Sequence, residues 1–125
     1  MSNTRTLEIG SKKYTQIICL DEKGEGGACH EYEVLPVLPL NGSDDFSPLA
    51  KVSLQNGAIK ENGVNGCHNE DLIAIVIDRL QCFQNGDFAC RENALALTKL
   101  EESLLWLGKR TNDRINRGVE GKSIV

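Results

Sequence analysis

Trp106, Arg110, Arg114 and Arg117 recur at helical spacing near the end of the chain. At ~100° per residue a helix gathers the four into a narrow sector, an aromatic plane beside three guanidinium groups. Guanidinium pairs bidentately with phosphate, and three aligned cations repel one another unless an anion or an acidic partner joins them. Such a stripe suits a small anionic molecule. The plainer reading is a solvated basic helix end, favourable against the helix dipole.

The element that must carry this stripe is a long amphipathic helix. Leu97, Leu100, Leu104 and Leu107 form a seam at alternating spacings of three and four, roughly a quarter-turn from the arginines. The helix is expected to start near Cys90 and run to about Asn116, with Gly108 as a tolerated weak point and Gly118 and Gly121 releasing a short tail. Before it, Glu70 to Gln84 reads as a second amphipathic helix with Asn69 as N-cap. Leu72, Ile73, Val76, Leu80 and Phe83 line one side, flanked by Ile75 and Ile77. That apolar sector is wider than one partner helix needs, so it also meets a sheet or a second subunit. The Asn85-Gly86-Asp87 break is short enough to make the two helices antiparallel neighbours.

Upstream the period changes from helix to strand. Lys13 to Leu20 and Ala28 to Leu35 alternate, and the glycine-rich Asp21 to Gly27 turn joins them into a β-hairpin. Pro36, Pro39 and Pro48 bracket an irregular segment. Lys51 to Gln55 reads as a third strand, Asn56-Gly57 as a turn, and Ala58 to Lys60 as a short return strand. Residues 1–11 are polar and expected to be loosely held. Gly63 and Gly66 precede the first long helix, where backbone N–H groups can hold an anion. The loop lacks the lysine and spacing of a P-loop, and Glu70 and Asp71 would repel a phosphate there. The expected fold is α+β: a small N-terminal antiparallel β-layer, then a long C-terminal antiparallel helical hairpin. It is read as one domain over 1–125, with the β-layer and loops at 1–66, the hairpin at 67–121 and a tail at 122–125.

Composition narrows the function classes. Residues 1–108 hold 9 Lys/Arg against 16 Asp/Glu, and residues 109–125 hold 5 against 2, within a total net charge of −4. An acidic chain with one local basic cluster is a poor general DNA binder, because non-specific affinity needs many neutralised phosphates. No apolar run approaches the ~20 residues of a membrane span, and the polar N-terminus does not read as a signal peptide. A cytoplasmic protein is expected, without DNA or membrane partners. The odd count of five cysteines, Cys19, Cys29, Cys67, Cys82 and Cys90, argues for free thiols. Two adjacent pairs, Cys29-His30 and Cys67-His68, raise a zinc site, but adjacent ligands lack the usual spacing and point to opposite faces of a strand. No metal and no cofactor are expected. His30 and His68 lie outside the arginine-bearing helix, no Ser-His-Asp arrangement appears, and Glu101 and Glu102 point to different helix faces. The chain does not read as an enzyme.

At the helical hairpin the residues become familiar. The run RENALALTKLEESLLWLGKR, followed by TNDRINRGVEG, resembles the hairpin domain shared by phage anti-CBASS and Thoeris anti-defence nucleotide sponges. The NGVNG and EDLIAIVIDRLQCFQNGDF stretches and the N-terminal strands are most similar to the first-described Thoeris anti-defence type, which places a small β-layer before the hairpin. The resemblance covers about residues 50–121 with specificity, and residues 1–49 in architecture only. It implies a protein that binds cyclic nucleotide immune signals, such as glycocyclic ADP-ribose and in some members cyclic trinucleotides, and releases them unchanged. It also implies homo-oligomers, dimers and in several members hexamers, at work in the host bacterial cytoplasm during infection.

By that resemblance the ligand-binding residues are Phe83 and Asn93 near the hairpin turn, and Arg110 with its neighbours Trp106, Thr111, Arg114 and Arg117 near the far end. Arg91 and Thr98 match positions facing a second family pocket. Each has a plain alternative: Phe83 continues the core stripe, Asn93 satisfies first-turn backbone groups, and Trp106 buries against the β-layer. Asn93 and Arg110 stand 17 residues apart, or ~25 Å along a helix, so one small ligand reaches both only if two hairpins pack antiparallel. The competing class is an oligomerisation or protein-interaction module without a small-molecule ligand, its arginines meeting acidic residues of another chain.

Overall fold

Strand-period alternation produces a four-stranded antiparallel meander in the N-terminal half of the chain. The structure, a computed structural model, describes residues 4–124. Its strands are β1 (Arg5–Thr6), β2 (Thr15–Cys19), β3 (Glu31–Pro36) and β4 (Ala50–Ser53), paired in the order β1-β2-β3-β4. A short helix α1 (Ile59–Asn62) follows, then the two long helices α2 (Asn69–Gln84) and α3 (Arg91–Asn116). The α+β fold expected from the sequence is therefore the one observed. The chain divides into two compact units, Met1–Gly66 and Cys67–Val125.

In the first unit, β2 and β3 pair in the register Thr15↔Pro36 to Cys19↔Tyr32, which makes the expected hairpin. Its connection is held by Asp21, whose carboxylate accepts the backbone N–H groups of His30 at 3.0 Å and Glu31 at 3.1 Å. Burial pushes the Asp21 carboxyl up, but the N–H donors of Glu31 and His30 outweigh it and hold the group below the ordinary carboxylate range. Cys19, Cys29 and His30 are buried here, and Cys19 is fully so. Burial pushes the Cys19 thiol up.

Two sequence expectations fail in this unit, each for a local reason. Residues 1–11 are not all loose: Arg5 and Thr6 pair with Cys19 and Ile18, and the Leu7 N–H donates to the Ile17 carbonyl at 2.9 Å. A two-residue exposed edge strand needs no apolar alternation, so nothing in its composition announces it. Ala58 to Lys60 does not return as a strand. The backbone turns into α1, closed by Gly63 at φ 71° with its N–H on the Ile59 carbonyl. Gln55 and Asn65 pin the flanks, Gln55 Nε2 donating to the Gly63 carbonyl at 2.8 Å and Asn65 Nδ2 to the Asn56 carbonyl at 2.8 Å. Gly66 is a packing requirement, since a Cβ there would lie 2.7 Å from the Ser53 carbonyl oxygen.

The second unit is a helical hairpin. Helix α2 is capped by His68 and not by Asn69, because Asp71 reaches back to accept the His68 backbone N–H at 2.8 Å. Its inward seam is Ile73, Ile77 and Leu80, and Ile77, expected only to flank the stripe, is its most buried residue at 8% exposure. Val76 and Ile75 turn outward and stay exposed. Gln84 closes the interhelical turn by donating to the Cys90 carbonyl at 3.1 Å while accepting the Cys90 N–H at 3.0 Å. On α3 the expected leucine seam, Leu97, Leu100, Leu104 and Leu107, is half-buried throughout. The helix ends at Asn116 in a Schellman turn: Gly118 at φ 74° donates to Ile115, and Val119 donates to Arg114. Among the described residues no helix is long and apolar enough to cross a membrane.

Candidate functional site

The candidate binding residues fall at the two ends of α3. At the hairpin-turn end, Phe83 lies in the last turn of α2, half-buried, with the Arg79 guanidinium 5.0 Å from its ring centroid. Arg79 is a neighbour the sequence reading passed over, although its four-residue spacing from Phe83 is a legible signal for a cation–π pair. Asn93 is half-buried in the first turn of α3, and its backbone N–H donates to Cys90 Sγ at 3.4 Å. By helical phase Asn93 belongs to the leucine seam, so its side chain emerges on the α2-facing side. Arg91 is exposed beside it. Thr98, also exposed, donates its hydroxyl to the Ala94 carbonyl at 3.1 Å, which leaves its lone pairs available.

At the far end the arginine stripe separates into two kinds. Trp106 is 65% exposed, and Arg110, one turn on, is exposed and paired with no carboxylate among the described residues. Its neighbour Lys109 is already neutralised by Asp113 at 2.7 Å. Arg114 behaves differently. It is 14% exposed, donates to the Val119 carbonyl at 3.0 Å and the Lys122 carbonyl at 2.9 Å, and lies 3.4 Å from Glu120 Oε2. Thr111 is half-buried in the continuation of the leucine seam, and Arg117 is exposed as the helix C-cap. The physical reason is angular: Arg114 stands at the edge of the stripe closest to the seam, and the chain that returns after Gly118 folds over it.

What these residues can do follows from what is left unsatisfied. Trp106 and Arg110 offer a flat π-face and a bidentate donor within one helical turn of each other, a pairing suited to a base and a phosphate. Phe83 with Arg79 offers a second aromatic–cation pair. The single helix of 26 residues keeps Asn93 and Arg110 ~25 Å apart, so the two groups do not converge within one chain. Exposed Ile75, Val76, Leu95 and Leu105 add apolar surface to the same unit. The two adjacent Cys-His pairs do not converge as ligand sets among the described residues, and all five cysteines are free thiols. His30 Nδ1 faces Asp21 at 3.8 Å, and His68 Nδ1 faces Asp71 at 3.7 Å.

Comparison with known proteins sets this hairpin in context. Residues 49–112 match the family model described as Acb2/Tad1, hairpin domain. The chain is also similar to the protein named Thoeris anti-defense 1 of Bacillus phage SBSphiJ7. The two are 47% identical over a 132-residue alignment that covers 91% of this chain and 93% of that protein.

Proposed function

The chain belongs to the Acb2/Tad1 hairpin family, and on that premise we propose that it is a phage anti-defence protein that binds a cyclic nucleotide immune signal and sequesters it without cleavage. Glycocyclic ADP-ribose is the first ligand expected, with cyclic trinucleotides as a second class. The observation that carries the reading is the exposed Trp106–Arg110 pair on α3. A tryptophan left 65% exposed beside an arginine with no carboxylate partner among the described residues is a surface suited to cover by a ligand or partner.

A site is completed between two copies. Antiparallel packing of two hairpins brings Phe83 and Asn93 of one chain toward Trp106 and Arg110 of the other, which a single ~39 Å helix cannot do alone. The outward Ile75, Val76, Leu95 and Leu105 suit such a subunit contact, as a dimer or as the building block of a hexamer. Arg117 and Thr111 line the rim, Arg91 and Thr98 serve a second pocket, and Arg114 also holds the helix end in shape behind Arg110. Suppression by sequestration calls for nanomolar affinity, ~12 kcal/mol. Stacking of a base on an aromatic ring supplies ~1–3 kcal/mol, and arginine–phosphate pairing adds charge-assisted bonds.

Calorimetric titration with glycocyclic ADP-ribose, cyclic dinucleotides and cyclic trinucleotides, repeated with Arg110→Ala, tests the reading. Tight binding of one signal that the variant abolishes supports it, and recovery of intact ligand after heat denaturation separates a sponge from a hydrolase. No binding of any of these would leave an interaction module as the better account.

A further inference from the structure

A second cluster of chemically capable side chains lies in the Met1–Gly66 unit, and nothing in the sponge reading uses it. Cys19 at the end of β2, Asp21 two residues later and Cys29 before β3 bring their ligand atoms within 4.8 Å of one another. Cys19 Sγ stands 3.6 Å from Asp21 Oδ1. Cys19 is 0% exposed and Cys29 8%. The Arg5 guanidinium, directly across the β1–β2 ladder from Cys19, donates to Cys29 Sγ at 3.8 Å.

We propose that Cys19, Asp21 and Cys29 form a binding site for one thiophilic divalent metal ion, Zn²⁺ by class, with Arg5 as its outer-sphere partner. Three observations converge on it. The first is size: with metal–sulfur bonds of about 2.3 Å and metal–oxygen bonds of about 2.0 Å, the edge of a tetrahedral site is about 3.5–3.8 Å, which the Cys19–Asp21 separation already matches. The second is charge. Two thiolates and a carboxylate carry three negative charges, and a divalent ion together with Arg5 cancels them, so the buried cluster becomes neutral. Third, the ligands are preassembled, since Asp21 is fixed by the His30 and Glu31 backbone N–H groups and the two cysteines by the β2–β3 hairpin. Two thiolates select a soft or borderline ion over magnesium or calcium. Binding displaces the two thiol protons into solvent, and the fourth position belongs to water. His30, buried against the outer side of Asp21, steadies that carboxylate.

The spacing explains why the sequence did not reveal the site. Its ligands are Cys-x-Asp and a cysteine eight residues beyond, and neither adjacent Cys-His pair supplies two of them. The ion would clasp β2 to the 20–30 loop, with β1 joined through Arg5.

The test uses the full chain, reduced, with Cys67→Ser, Cys82→Ser and Cys90→Ser to remove the other thiols. Titration with Co²⁺ is expected to saturate at one equivalent, with a thiolate charge-transfer band and the intense visible bands of a tetrahedral ion, and Zn²⁺ is expected to displace it. Cys29→Ser is expected to weaken binding by more than about tenfold, and Arg5→Gln by about tenfold. Native mass spectrometry of the unmutated protein gives a second readout independent of whether the variants fold: a mass gain of one zinc less two protons. Absence of both the cobalt spectrum and the zinc adduct would overturn the proposal. So would cobalt binding that Cys29→Ser leaves intact in a folded protein, or a mass two hydrogens lower from a Cys19–Cys29 disulfide that excludes the ion.

Discussion

Arg114 is the residue at which a structural and a ligand-binding role predict opposite results. Its guanidinium donates to the Val119 carbonyl at 3.0 Å and to the Lys122 carbonyl at 2.9 Å, and it lies against Glu120 with only 14% exposure. A hydrogen bond from a charged donor contributes about 1.5–3 kcal/mol. Glu120 is about one-third exposed, so its ion pair is screened and adds less than ~1 kcal/mol. Truncation to alanine also leaves Glu120 Oε2, buried and without a hydrogen bond, facing no cation. The sum is capped, because the tail after Gly118 can fray instead of dragging down the whole hairpin. Arg114→Ala is therefore expected to cost about 2–3 kcal/mol in urea unfolding of the hairpin, with loss of hydrogen-exchange protection at the Val119 and Lys122 amides. Those amides donate to Arg114 and Val119 carbonyls respectively. Arg110→Ala, at an exposed site, is expected to change stability by less than about 0.5 kcal/mol while abolishing ligand binding. If Arg114→Ala unfolds like the parent and keeps its amide protection, the structural assignment of Arg114 is wrong.

Three further expectations follow from positions where geometry decides the sign. Gly66→Ala places a Cβ against the backbone of Ser53 and Leu54 and is expected to destabilise the β-unit by more than about 2 kcal/mol, read as a lower melting temperature. Gly108→Ala meets open space inside α3 and is expected to stabilise by about 0.5–1 kcal/mol in chemical denaturation. A loss instead would mean that a partner subunit approaches the helix there. The Asp21 carboxyl is held below its unfolded value, so its contribution is fully present above about pH 4 and is lost as pH falls through the lower folded value. Circular dichroism melts from pH 6 to pH 3 should show that acid loss, and Asp21→Asn should be less stable at pH 6 with a flatter acid profile.

The helical hairpin was largely legible because its information is periodic. The leucines of α3 repeat often enough to fix its phase, and Gly118 marks its end through a backbone geometry that only glycine adopts easily. The Pro and Gly positions likewise announced the irregular 36–48 segment and the β2–β3 turn. Less legible was the phase of α2, where apolar residues cover so much of the circumference that Ile77 and Val76 could exchange roles without changing the pattern. Short elements escaped for a related reason: β1 is held by its pairing with β2, and α1 by a Gly63 cap that the nearby Gln55 side chain pins, not by an apolar period of their own.

The candidate sites divide in the same way. Sequence alone determined that α3 carries Trp106, Arg110, Arg114 and Arg117 on one flank, since helical spacing is enough to align them. Only the tertiary structure decided that Arg114 also finds partners within its own chain, in a returning tail that carries two glycines and the half-buried Glu120. Spacing likewise identified Cys29-His30 as a pair, but it took the β1–β2–β3 pairing to gather Cys19, Asp21, Cys29 and Arg5 around one point. Periodicity reports which residues share a face of one element. Which faces and loops then meet is set by long-range hydrogen bonds and packing that no local pattern encodes.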